Sequence, residues 1–435
     1  MRRASSSRLR RNLTSVCALA ALVLVTACGS SGSASGGKLH IWALEDEAVN
    51  AVLEDSIKKF NKSSGVDAEL STYVNDPYKQ KIRVSMGSPN APDIFFNWGG
   101  GDLKQYVQAG QVLELTDYLN KHPDFKNAFA SSVMDFVKFD GRYYGVPMLG
   151  VQPVMLFYNK KVFNKVGVSP PETYADLLSL VDKFKAEGIT PIVLPGSQAW
   201  TELMWLEYLT ARIGGPDVFQ AIKAGEEGAW SQPALIKALE QCQELVRRGA
   251  FGSDYSAITY DNGSASTLLA QGKAAMFLMG SWEMATQLDR NPQFVKSGNL
   301  GFIEFPKMKG GEGNAHAIVG NPSNYFSITK STDHPKAAKD FLRKTLTSDQ
   351  YVEGLIEAGQ VPTVKGIKDK LRANPRSDYT TFTYELVQQA PHFTQSWDQA
   401  LTNSSVATAM LTNLQKVFLL EMSPEQFAKA MESVQ

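Results

Sequence analysis

Four tryptophans in this chain, Trp98, Trp200, Trp282 and Trp397, stand in segments that read as loops, each with a polar neighbour close by. Asn97 and Asp102 flank the first, Ser197 and Glu202 the second; Glu283 follows the third and Asp398 the fourth. Flat aromatic rings suit the apolar faces of sugars, while carboxylates and amides suit their hydroxyls. The competing reading is that such tryptophans pin loops onto a core. Trp205, inside an apolar helical run, and Trp230, at a helix entrance, read as core, and Trp42 on the first strand fits either role. The carboxylates Glu45, Asp46, Glu47, Asp102, Glu202, Glu283 and Asp398 also admit catalysis, because glycoside hydrolysis needs only two carboxyl groups about 5 to 9 Å apart. Sequence spacing leaves that alternative open.

Other chemistry is poorly supplied. The five histidines are isolated from one another, and neither H-E-x-x-H nor a paired cysteine spacing occurs, so no metal site is expected. His40 and His316 read as surface or packed residues. There is no G-x-S-x-G elbow, and Gly99-Gly100-Gly101 lacks the G-K-[ST] of a phosphate loop. No cofactor is expected.

The elements that must position these residues follow from hydrophobic periodicity. Residues 39–44 alternate as a strand, then Val49, Val52, Leu53, Ile57 and Phe60 recur at helical spacing until Gly65. A strand over 66–73, a helix over 77–86, a strand over 92–97 and a helix over 103–109 capped by Asp102 continue the alternation. This pattern implies an α/β lobe with a mostly parallel sheet, whose crevice lies beyond the carboxyl ends of the strands. Trp98 sits at such an end. After a strand over 151–158 the chain turns mainly helical, with helices over 203–213, 235–248 and 266–271, another opened by Pro170-Pro171-Glu172-Thr173, and strands over 274–279, 300–305 and 325–329. Helices over 335–346, 349–358, 378–389 and 406–421 complete the reading, the last as a closing element.

The N-terminus sets the compartment. Arg2, Arg3, Arg8, Arg10 and Arg11 precede an apolar run over 16–25 that is too short to span a bilayer comfortably. The segment resembles a bacterial lipoprotein signal, in which the thiol of Cys28 receives the lipid and becomes the first residue after cleavage; an ordinary secretory peptide would keep the export and lose the anchor. GSSGSASGG after the cysteine reads as a flexible tether. Loss of five arginines leaves a formally neutral chain five charges negative, with no basic patch to suggest nucleic acid. Cys17 leaves with the signal, so Cys242 is the one thiol of the body and no internal disulfide can form.

The order of motifs resembles the carbohydrate-binding lipoproteins of bacterial ABC importers, in extracellular solute-binding family 1, which includes maltose-binding protein. It is carried by Ile41-Trp42 with Glu45-Asp46, Pro92-Asp93-Ile94-Phe95, Gly145-Val146-Pro147, Phe157-Tyr158-Asn159-Lys160-Lys161-Val162-Phe163 and Gly272-Lys273-Ala274-Ala275-Met276. Met279-Gly280-Ser281-Trp282, Ser327-Ile328-Thr329-Lys330-Ser331 and His334-Pro335-Lys336-Ala337-Ala338 follow in order. The resemblance implies a two-lobed α/β periplasmic-binding-protein fold: signal 1–27, tether 28–38, lobe one 39–158 plus 324–373, and lobe two 159–323 plus 374–435. It implies an oligosaccharide held by Glu45, Asp46, Trp98, Asp102, Trp200, Trp282 and Trp397, permease subunits as partners, a monomer tethered to the outer face of the membrane, and no catalysis. Asn159 and Lys160 read as a structural turn near the crossover. The Trp98-Gly99-Gly100-Gly101 loop departs from that of maltose-binding protein and is similar to binders of xylobiose or raffinose. Secreted glycoside hydrolase and binder of a non-sugar solute stay open as alternatives. Cys28→Ala is expected to release the protein to the medium or leave an uncleaved precursor; normally processed protein in the membrane fraction would contradict the lipid anchor.

Overall fold

The computed structural model describes residues 37–435, and the signal with Cys28 and most of the tether lies outside the described residues. Two sheets organise the body. The first has the order Ala68–Tyr73, Leu39–Leu44, Ile94–Asn97, Tyr325–Ile328, Val146–Pro147. Its first three strands are parallel, but Tyr325–Ile328 returns antiparallel to Ile94–Asn97 and Val146–Pro147 is antiparallel to it in turn. The sheet is therefore mixed where a mostly parallel one was expected, because a strand arriving from the far side of the molecule is not bound by the local strand-helix-strand crossover.

The second sheet is built around Gln152–Asn159. That strand pairs antiparallel with Ala274–Gly280 on one edge and with Ile318–Asn321 and Leu300–Ile303 on the other. Thr190–Val193 and Phe393–Gln395 complete it through parallel pairings. Gln152–Asn159 is almost wholly buried, as its unbroken apolar stretch Val154-Met155-Leu156-Phe157 demands. Each sheet has its own core. Ile41, Phe95, Phe326 and Phe341 belong to the first, and Phe157, Trp205, Phe277 and Phe418 to the second.

Three passages of chain join the sheets. One runs from Pro147 to Gln152, a second from Asn321 to Tyr325, and a third follows the helix Lys368–Ala373. Val151, Val352, Ile356, Val361, Ile367 and Leu371 form a small separate core beside these crossings.

Local sequence explains the elements that matter for the cleft. Helix Glu47–Asn61 begins where the first strand ends; Asp46 is its N-cap, its Oδ1 accepting from the Val49 amide at 3.2 Å. Val49, Leu53, Ile57 and Phe60 bury one face of that helix at the predicted spacing. Helix Gly100–Gln108 starts earlier than expected, with Gly99 as N-cap at φ 69°, ψ −159°, a conformation that glycine alone adopts without strain. Asp102 is thus inside the first turn and does not cap the helix. The C-terminal helix Pro424–Glu432 was not foreseen, although Ser423-Pro424-Glu425-Gln426 spells its capping box.

Glu202, near the start of helix Ala199–Ile213, is buried in the second lobe, and its Oε2 meets no hydrogen-bond partner among the described residues. Desolvation raises its pKa from 4.5 to about 9. Between those values the folded protein keeps a proton that the unfolded chain has released, so this group's stabilising contribution is full below about pH 4.5 and is lost as pH rises toward 9. Glu202→Gln is expected to flatten the fall in melting temperature between pH 5 and pH 8; equal slopes in variant and wild type would contradict the assignment.

Candidate functional site

A cavity of about 240 Å³ lies between the two sheets' lobes, lined by both. Glu45 and Asp46 reach it from the carboxyl end of the first strand, the position expected for a ligand crevice in an α/β sheet. Asn75 and Lys79 reach it from helix Asn75–Ser85, and Trp98 from the end of strand Ile94–Asn97. Trp98 is 5 % exposed and braced from below, edge to face on Phe96 at 5.1 Å and on Tyr78 at 6.1 Å. The Lys79 ammonium stands 5.2 Å from its ring centroid.

The second lobe supplies an aromatic wall. Trp200 lies 6.2 Å from Trp282 and 5.6 Å from Tyr260 between ring centroids, and all three line the cavity. Gly280 makes room for this wall, since a Cβ there would stand about 2.0 Å from the Trp282 ring. Gln198 fixes Tyr260 by accepting from its amide at 2.8 Å, and it donates across the cleft to Asp76 at 3.1 Å.

Asp398 completes the cleft from a short helix, Trp397–Ala400. Its Oδ2 accepts from Lys79 Nζ at 3.1 Å, an ion pair between lobes with both side chains largely out of water. Asp46 is desolvated, and with Asp289 of the other lobe adding repulsion its pKa rises to about 6 in spite of the Val49 amide. The cavity lining carries the carboxyl groups of Glu45, Asp46, Glu47, Asp261, Asp289 and Asp398 beside the cationic side chains of Lys79 and Arg290.

Of the seven expected ligand residues, five line the cavity and two do not. Glu45, Asp46, Trp200 and Trp282 share the cavity with Trp98. Asp102 does not line it; its Oδ1 accepts from Gln105 at 3.2 Å, and burial raises its pKa to about 6. Trp397 does not line it either. That ring is 1 % exposed and stacks face to face on Phe219 at 4.6 Å, so it is core where a stacking platform was expected. The reason is a helix the sequence reading missed, Asp217–Ala224, which brings Phe219 over it. Glu283 is likewise internal, accepting from Ser266 Oγ at 2.9 Å and Gln287 Nε2 at 2.7 Å. Lys79, Tyr260 and the amides Gln152, Asn321 and Gln360 line the cavity without having been singled out. Asn159 caps helix Lys160–Val166 through its side chain, consistent with a structural turn.

Among the described residues no helix is long and apolar enough to cross a membrane, and no group of three or more His, Cys, Asp or Glu could hold a metal ion.

Residues 43–353 match the sequence profile described as bacterial extracellular solute-binding protein. An uncharacterized ABC transporter extracellular-binding protein of Pyrococcus horikoshii is 26% identical over 355 residues, 81% of this chain and 74% of the relative. The multiple sugar-binding protein of Streptococcus mutans is 25% identical over 72% of this chain and 76% of its own. A structure solved in work on xylan utilization by Caldanaerobius polysaccharolyticus superposes with a TM-score of 0.82 at 26% identity, covering 91% of this chain and 99% of that one. The architecture is the two-lobed periplasmic-binding-protein fold.

Trp397→Ala is expected to cost about 3 to 5 kcal/mol of stability, as large core truncations do. Chemical denaturation measures this; a variant as stable as wild type would return Trp397 to the cleft.

Proposed function

The chain belongs to the bacterial extracellular solute-binding protein family, and on that premise we propose that it captures a short oligosaccharide between its lobes and delivers it to the permease subunits of an ABC importer. A solute-binding family leaves no catalytic step to assign, so the glycoside hydrolase alternative is set aside. The observation that carries the sugar reading is the aromatic wall of Trp200, Tyr260 and Trp282 in one cavity with Trp98, among carboxylates and amides. Rings stack on such surfaces while hydroxyls take the polar groups. The Streptococcus mutans relative described as a multiple sugar-binding protein and the structure from work on xylan utilization support the same class of ligand. The Trp98-Gly99-Gly100-Gly101 loop favours xylobiose- or raffinose-like sugars within it.

The lobes follow the sheets in this reading. Lobe one spans 39–147 and 324–373, and the crossover precedes Gln152, earlier than residue 158, since Gln152–Asn159 hydrogen-bonds within the second sheet. Lobe two takes 152–321 and 374–435. Binding in the cleft draws the lobes together because contacts to both are complete only when they are closed. Lipid on Cys28 and the tether over 28–38 keep the monomer at the outer face of the membrane, close to its permease.

A thermal-shift screen of uncharged oligosaccharides tests the reading, because a ligand that binds only the folded state raises the melting temperature. Micromolar binding, about −8 kcal/mol, is expected for at least one sugar. Trp282→Ala then weakens that binding about thirtyfold, ~2 kcal/mol, with the fold retained. Absence of any shift across xylo-, chito- and galacto-oligosaccharides would sink the proposal.

A further inference from the structure

Three amide side chains meet where the chain crosses between the sheets. Gln152 opens the central strand of the second sheet, Asn321 closes the neighbouring strand and is paired with Gln152 in register, and Gln360 follows helix Asp349–Glu357. Gln152 Nε2 donates to Gln360 Oε1 at 2.8 Å, so the three form one patch of cavity lining. They are deeply buried, at 2 %, 8 % and 2 % exposure for Gln152, Asn321 and Gln360.

The patch is incomplete. Asn321 Oδ1 and Gln360 Nε2 have no hydrogen-bond partner among the described residues, and the indole N–H of Trp200, which also lines the cavity, has none. One acceptor and two donors of the cavity lining therefore have no protein group to bond among the described residues. A buried polar group in that condition is costly, and native interiors tolerate few of them. Three sharing one cavity imply that what fills the cavity completes them.

We propose that Asn321, Gln360 and Trp200 form a hydroxyl-recognising floor of the cleft, and that the ligand is a sugar whose inward ring is uncharged. The inference rests on the sugar-binding reading and narrows it. A hydroxyl both donates and accepts, so one hydroxyl or two neighbouring ones answer Asn321 Oδ1, Gln360 Nε2 and Trp200 Nε1 together. A sugar acid does not fit. Its carboxylate cannot donate to Asn321, Lys79 is already engaged by Asp398, Arg290 lies at an exposed end of the cavity, and the remaining lining is rich in carboxylates. The floor also links binding to closure: Asn321 ends a strand at a crossing, Gln360 follows a first-lobe helix and Trp200 belongs to a second-lobe helix, so closing without ligand leaves all three unpaired.

Calorimetric titration of the full chain with xylobiose, N,N′-diacetylchitobiose and stachyose tests this, alongside glucuronic-acid-capped xylobiose. The wild type is expected to bind at least one neutral sugar and to bind the acid-capped one at least about tenfold more weakly than xylobiose or not at all. Asn321→Leu should weaken binding of the neutral sugar at least about fivefold while its melting temperature without sugar holds or rises, since the residue gives up a hydrogen bond only the ligand supplies. Gln360→Met serves as the second variant. With a monodeoxy analogue lacking the inward hydroxyl, wild type and variant should bind equally, which a merely structural role would not produce. Unchanged affinity in both variants, or wild-type binding of the acid-capped sugar as tight as that of the neutral one, overturns the floor and leaves the sugar reading standing. Binding of none of the three neutral sugars overturns the sugar reading and this inference with it.

Discussion

Glu207 lies buried in the helix Ala199–Ile213 and accepts with one oxygen from both the Trp397 amide, at 2.7 Å, and the Ser396 hydroxyl, at 2.9 Å. Those two bonds anchor the turn before the short helix Trp397–Ala400. The Trp397 ring, stacked on Phe219, anchors it a second time. With both anchors in place Asp398 is carried into the cleft, where it pairs with Lys79 of the other lobe, and Lys79 in turn stands over Trp98. A chain of contacts thus runs from a second-lobe core helix to the aromatic residue at the end of a first-lobe strand. Burial raises the Glu207 pKa to about 8, with the Trp397 amide opposing the shift, so a cost in desolvation is retained for the sake of placement.

The same trade recurs around the cleft. Asp46, Asp102 and Glu283 are each raised by desolvation, and each serves a local structural purpose: Asp46 as an N-cap, Asp102 as a partner of Gln105, Glu283 as an acceptor for Ser266 and Gln287. Carboxylates near a predicted cleft are therefore of two kinds. Glu45, Asp46, Glu47 and Asp398 line the cavity, whereas Asp102, Glu202 and Glu283 do not. Cys242, the one cysteine among the described residues, is buried, and its pKa is raised by desolvation, so it packs as a small apolar residue.

Much of the fold was legible because its signals are local. Alternation in 39–44 and helical spacing from Val49 to Phe60 depend only on which faces must leave water, and both elements form where expected. Placement of Asp46 and Trp98 beyond strand ends follows from the same pattern. Some short elements escaped: Thr190–Val193, Ile318–Asn321 and Phe393–Gln395 carry too few residues to show a period, whereas Ile94–Asn97, Leu300–Ile303 and Tyr325–Ile328, equally short, are marked by apolar runs. Asn321, a cavity residue, was lost with the strand that it ends.

Sequence alone determined the alternation of strands and helices in the first lobe, the single cysteine among residues 37–435 and the order of motifs that marks the family. Each is written in neighbouring residues or in counts. Tertiary structure alone decided which tryptophans face the cavity. Trp282 and Trp397 are the same residue type with similar polar neighbours, and they part company only because Gly280 leaves room for the one ring while Phe219, 178 residues away in sequence, covers the other. It alone gathered Gln152, Asn321 and Gln360, since a site built where a chain crosses between lobes takes its residues from segments that no local pattern connects.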